Sequence, residues 1–183
     1  MKKLNHKDNF YILSGAPGSG KSSIIEKLKQ NGFACINEPA REIIHEQRLI
    51  DGDGVYDRDK KLFLELMLSR SIYNYIHQHE TDNPVIFDRG LPDIIGYAKL
   101  FEVNAKSSRN TSKIYKYNNN ILFLPSWQEI YITDEERTMS FDDAKIFGDL
   151  IKQSYIELEY NIIKVPLVSI DKRVEFIIDM INT

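Results

Sequence analysis

Gly15, Gly20, Lys21 and Ser22 stand at the spacing G-x-x-x-x-G-K-[ST] within FYILSGAPGSGKSS, residues 10–23. That spacing is the chemistry of a loop that holds a polyphosphate. The loop must turn successive backbone N–H groups inward, and glycine permits both the close approach and the positive φ this needs. The helix that follows would aim the positive end of its dipole at the same anion. Gly15, Ala16, Pro17, Gly18, Ser19, Gly20, Lys21, Ser22 and Ser23 are therefore expected to cradle a nucleoside triphosphate. Lys21 would reach the β and γ phosphates, and the Ser22 hydroxyl would complete a Mg²⁺ shell. The alternative is a strand-to-helix turn with no ligand. The apolar strand FYILS before the loop and the amphipathic IIEKLKQNG after it are the context the motif requires.

Other residues are candidates by position. Asp88 closes the apolar run VIFD, and ligands of open parallel sheets bind beyond the carboxyl ends of strands. An acid there could hold Mg²⁺ together with Ser22 or orient a nucleophile; the competing role is a helix-capping aspartate. Arg89, next in the chain, would either bind a substrate anion or pair with a neighbouring acid. Glu38 follows a second apolar run, on the same rim, and could accept a proton from a hydroxyl that attacks the γ-phosphate. Arg41, a helical turn later, could hold a carboxylate or phosphate of that acceptor, or simply pair with Glu38. Arg137, in the polar run TDEERTMS, is either a solvated cation or one that closes over the transferring group. Trp127 either walls the site or packs beneath this lid, which is expected at about 125–140.

Five apolar runs must position these groups: Phe10–Ser14, Phe33–Asn37, Val85–Asp88, Ile121–Leu124 and Ile162–Val165. They are nearly continuous rather than alternating, as in parallel sheets covered on both faces. Segments of helical period separate them, which gives a doubly wound α/β pattern. Lys164 marks the last run as an edge strand. Helices are expected from the loop to Gln30, from Pro39 to Leu49, from Arg58 to His79 and from Leu91 to Phe101. Two more are expected: a long one starting at Ser140 and one N-capped by Ser169. The stretch 102–120 is polar, with little core signal, and reads as a mobile excursion.

The remaining signals exclude more than they assign. DGDGVYDRD begins like a calcium loop, but Val55, Tyr56 and Leu62 occupy positions five, six and twelve, so it reads as a turn that caps a helix. His77 and His79 are two apart and face different directions on a helix. The lone Cys35 is expected to be a buried small hydrophobe. A net charge of −3 gives no electrostatic case for binding nucleic acid. No run approaches the ~18 apolar residues of a membrane span, and MKKLNHKDN lacks a signal peptide's apolar stretch. A cytoplasmic, reducing location is the expectation, and one domain is expected over 1–183.

GAPGSGKSSIIEKLKQNGFACINEPAREII, PVIFDRGLPDIIGYAKL, LFLPSWQEIYITDEERTMSFDDA and KVPLVSIDKRVEFI together resemble the P-loop family labelled predicted AAA-type ATPases. That family includes the ribosylnicotinamide-kinase domain of a bacterial NAD regulator. The chain is more distantly similar to nucleoside and nucleotide kinases, through Glu38-Pro39 and Asp88-Arg89. The resemblance implies a three-layer fold with a five-stranded parallel sheet in the order 2-3-1-4-5, helices on both faces and a lid carrying Arg137. It implies an adenine site near Val165-Pro166 and strengthens the roles of Glu38, Arg41 and Arg137. The activity implied is a kinase that moves the γ-phosphate of ATP, or of GTP, to a small nucleoside-like or nucleotide-like acceptor. The alternative is an ATP- or GTP-binding regulatory NTPase that acts on a protein partner. No Asn-Lys-x-Asp motif follows the loop, which argues against a guanine-reading switch.

Overall fold

The computed structural model describes residues 5–78, 82–133 and 139–182. In chain order its strands are β1 (Asn5–His6), β2 (Phe10–Gly15), β3 (Ala34–Ile36), β4 (Val85–Asp88), β5 (Tyr115–Lys116), β6 (Asn120–Leu124) and β7 (Asn161–Lys164). The helices are α1 (Lys21–Gln30), α2 (Ala40–Leu49), α3 (Lys60–Ile76), α4 (Leu91–Leu100), α5 (Lys106–Ile114), α6 (Phe141–Ile156) and α7 (Ile170–Ile181). A five-stranded sheet runs β3-β4-β2-β6-β7, with every neighbouring pair parallel. Counting only the strands of this sheet, that is the expected order 2-3-1-4-5.

Successive side chains on a strand face opposite sides of the sheet, and the apolar runs supply both. Leu13, Ile86, Leu122 and Leu124 meet Ile24, Ile25 and Leu28 of α1 and Val174, Ile177 and Ile181 of α7. Ile12, Phe87, Ile121 and Phe123 meet α3, α4 and α6 through residues such as Met67, Ile94 and Ile151. Three layers follow. β2 lies at the centre, with Leu13 registered against both Asp88 and Leu122, so the loop that leaves it emerges between β4 and β6.

The stretch 102–120 departs from expectation. It is built into the fold, with helix α5, Ser108 and Ser112 buried, and β5 paired to β1. Tyr117 is only 1% exposed, and its ring stands edge-on to Tyr75 and Phe87 at 5.1 and 5.2 Å. Val103, Ala105, Tyr115 and Tyr117 pack on the core, and a polar composition conceals them.

Boundaries moved elsewhere for local reasons. Asp59 caps α3 through Leu62 N–H at 2.9 Å, so that helix starts later than Arg58 and ends before His77, which stacks on Tyr73 at 3.9 Å. His79 lies outside the described residues. Pro39 is the N-cap of α2 rather than its first residue. Ser140 caps α6 through Asp143 N–H, whereas Ser169 precedes α7 without a side-chain cap bond. Cys35 is half-buried, not fully buried, because β3 is a three-residue edge strand. Among the described residues, no helix is long and apolar enough to cross a membrane.

Candidate active site

The phosphate loop follows from the packing of β2. Gly15 lies opposite Leu124, and a Cβ on it would sit 2.2 Å from the Leu124 carbonyl oxygen. Only glycine lets the strand turn into the loop there. Ala16 N–H donates to the same carbonyl at 3.3 Å, and Ser19 Oγ donates back to Ala16 O at 2.7 Å, closing the loop. Gly20, at φ 85°, starts α1 in the left-handed region with no capping side chain. The first N–H groups of α1 therefore lack a side-chain acceptor, the arrangement that receives an anion. Pro17 and Gly18 form the half-buried crest, and Ser22 and Ser23 are exposed in the first helical turn.

Lys21 pairs with Asp88, at the end of β4, in a largely buried ion pair. The lysine of the loop and the strand-end acid thus meet, and Ser22 follows the lysine, exposed, in the first turn of α1. A carboxylate and a hydroxyl are hard oxygen donors of the kind Mg²⁺ takes.

Glu38, beyond β3, faces this pair from the other side. Tyr97 of α4 donates to its Oε1 at 2.7 Å, and Arg89 Nε lies 3.1 Å from the same oxygen, outside hydrogen-bond geometry. Burial acts to raise the Glu38 carboxyl, but the charges of Arg89 and Lys21 and the Tyr97 hydroxyl outweigh it and hold the group below its ordinary range. Burial, reinforced by the Glu38 charge, pushes the Tyr97 phenol well up, so it stays a donor.

Arg89 is engaged by protein groups. Its backbone takes φ 67°, an arrangement that costs a non-glycine residue on the order of 1 kcal/mol. Its N–H donates to Leu13 O at 3.0 Å, and its Nη1 donates to Gly15 O at 3.1 Å and to Asp93 Oδ1 at 2.9 Å. Of the two roles open in the sequence, the structure displays the pairing. Arg41 is exposed in the first turn of α2. Arg137 lies outside the described residues.

Three residues escaped the sequence reading. Asp93 and Tyr97 sit in the largely apolar LPDIIGYAKL, where the aspartate is buried. Arg173 falls on the apolar stripe of α7, between Ile170 and Val174. It is 6% exposed, donates to Ser19 O of the loop at 3.0 Å and lies 5.2 Å over the half-buried Trp127 ring. A cation on the buried stripe of an amphipathic helix was the available signal.

Residues 10–173 match the family model described as an AAA domain. No curated protein matches the chain. Among solved structures, the chain is similar to a deoxyadenosine kinase from M. mycoides with dCMP and dCDP bound. The identity is 18% and the TM-score 0.68, over 94% of this chain and 98% of that one. It is similar to thymidylate kinase from Ehrlichia chaffeensis at 14% identity and TM-score 0.64, over 96% and 98% of the two chains. NadR in complex with NR also aligns, at 18% identity and TM-score 0.68, over 98% of this chain and 51% of that one. At such identities the likeness is one of fold.

Proposed function

Because the chain belongs to the AAA-domain family, with residues 10–173 matched, we propose that it is a P-loop kinase. It moves the γ-phosphate of ATP to a hydroxyl or phosphate of a small nucleoside-like or nucleotide-like acceptor. The observation that carries this reading is the pairing of an acid with a cation at two neighbouring strand ends, Lys21 with Asp88 and Arg89 with Glu38. A protein that only binds and releases nucleotide has no need of the second pair. The kinases among the structural neighbours, named for nucleosides and nucleotides, support the acceptor class.

Gly15–Ser23 hold the triphosphate, and Lys21 exchanges Asp88 for phosphate oxygens. Ser22 and Asp88 would hold Mg²⁺, which supplies positive charge to the phosphates when bound. Glu38, kept ionised by Arg89 and Lys21, orients the acceptor hydroxyl and takes its proton. Tyr97 fixes that carboxylate's rotamer. Arg41 binds an anionic group of the acceptor, and Arg137 balances charge on the transferring phosphoryl.

The test is ATP consumption with Mg²⁺, alone and against nucleosides, nucleotides and pyridine ribosides. One compound should raise turnover many-fold and be recovered phosphorylated. Slow turnover indifferent to every compound would instead support a regulatory NTPase. With the active acceptor, Glu38→Gln should lower kcat about 10²-fold or more.

A further inference from the structure

We propose that Asp93 is a positioning residue which, through Arg89, holds the phosphate loop and Glu38 in fixed relation. The carboxylate is 1% exposed and accepts from four groups. Ser14 Oγ at 2.5 Å and Arg89 Nη1 at 2.9 Å reach Oδ1. Gly90 N–H at 2.8 Å and the Tyr155 hydroxyl reach Oδ2. These donors come from the end of strand β2 just before the loop, from the β4–α4 turn and from α6. One carboxylate therefore joins the strand that launches the loop to the helix beneath it.

Arg89 carries the constraint outward. The guanidinium that Asp93 grips also reaches Gly15 O at 3.1 Å and lies 3.1 Å from Glu38 Oε1. A planar guanidinium cannot reorient for one partner without moving for the others. Its Nε makes no hydrogen bond, so Asp93 and Gly15, rather than Glu38, supply the directional hold. Asparagine at position 93 would keep the shape but offer one acceptor oxygen in place of two. Hydroxyls can rotate away from its NH₂, whereas the Arg89 and Gly90 N–H groups cannot, so one of them would face a donor.

The consequence for turnover rests on the kinase reading; the geometry does not. Two readouts keep them separate. The first is a ¹³C-carboxyl titration of Glu38, identified with Glu38→Gln. Glu38 is faced by Arg89 and Tyr97 from the β4–α4 side and by Lys21 from α1. In Asp93→Asn the guanidinium is left with Glu38 as its remaining carboxylate partner, and the Glu38 midpoint should fall further while other glutamates stay put. The second is kinetic: kcat should fall about tenfold or more with KM for ATP within about twofold, and adding Asp93→Asn to Arg89→Met should cost nothing further. A lower Tm with an unmoved Glu38 midpoint would overturn the proposal, as would additive losses in the double variant. Should Asp93→Asn not fold, Tyr155→Phe removes a single donor to Asp93, and a smaller displacement of the Glu38 midpoint is expected. Wild-type protein inactive on every acceptor would retire the kinase reading, and the titration would still decide the role of Asp93.

Discussion

Lys21 and Asp88 are each other's counter-charge at the mouth of the loop, with side chains 10% and 14% exposed. Lys21→Ala should abolish nucleotide-dependent turnover while the far-UV circular dichroism stays that of the parent, because Asp88 keeps access to water. Full activity in the variant would mean that the triphosphate binds elsewhere. Cys35 offers a second test at this scale. Burial, with Asp88 adding to it against Lys29, pushes its thiol up to about 11, and the thiolate is the reactive form. Labelling by a thiol reagent at neutral pH should be slow in the folded protein and fast after denaturation.

Among the elements, α7 acts on the loop through one side chain. Arg173→Ala removes the donor to Ser19 O and uncovers Trp127; the expected result is nucleotide affinity weakened about tenfold, the equivalent of one charge-assisted hydrogen bond. Isothermal titration with ATP checks it. Gly15→Ala should destabilise by about 1–3 kcal/mol, the cost of overpacking, since the new methyl meets the Leu124 carbonyl. The strands and the loop were legible in the sequence because each is a local pattern, an apolar run or a glycine spacing. The network of Asp93, Arg89 and Glu38 was not, because its members are joined by the stacking of β3, β4 and α4, which no period encodes. Arg89 illustrates the gap: its neighbours in sequence allowed two roles, and only the approach of Gly15 and Asp93 shows which partners it has. The stretch 102–120 was misjudged for a related reason, since its core contacts, Val103, Ala105, Tyr115 and Tyr117, form no repeating stripe.

For the whole molecule, acid is the informative variable. Glu38 lies below its ordinary 4.5, and Glu157, hydrogen-bonded by Lys99 and Arg109, lies at about 2. The unfolded chain takes up these protons at higher pH than the folded one. Their contribution is thus complete above about 4.5 and is lost as pH falls through the lower folded values. Thermal unfolding should hold steady from neutral pH to about 5 and then decline, and Glu38→Gln should soften the decline. A Tm that rises on acidification would contradict both assignments.

The sheet order carries a consequence for how such a protein can change over generations. The Gly15–Ser22 loop issues from β2, which is hydrogen-bonded on both sides, whereas Glu38 hangs from β3, a three-residue edge strand with one partner. Substitutions on the exposed positions of β3 meet one neighbouring strand, while a side chain at Gly15 meets the backbone of Leu124 in β6. On the kinase reading, a lineage, or an engineer, could therefore retune the rim that would choose the acceptor and leave the loop as it was.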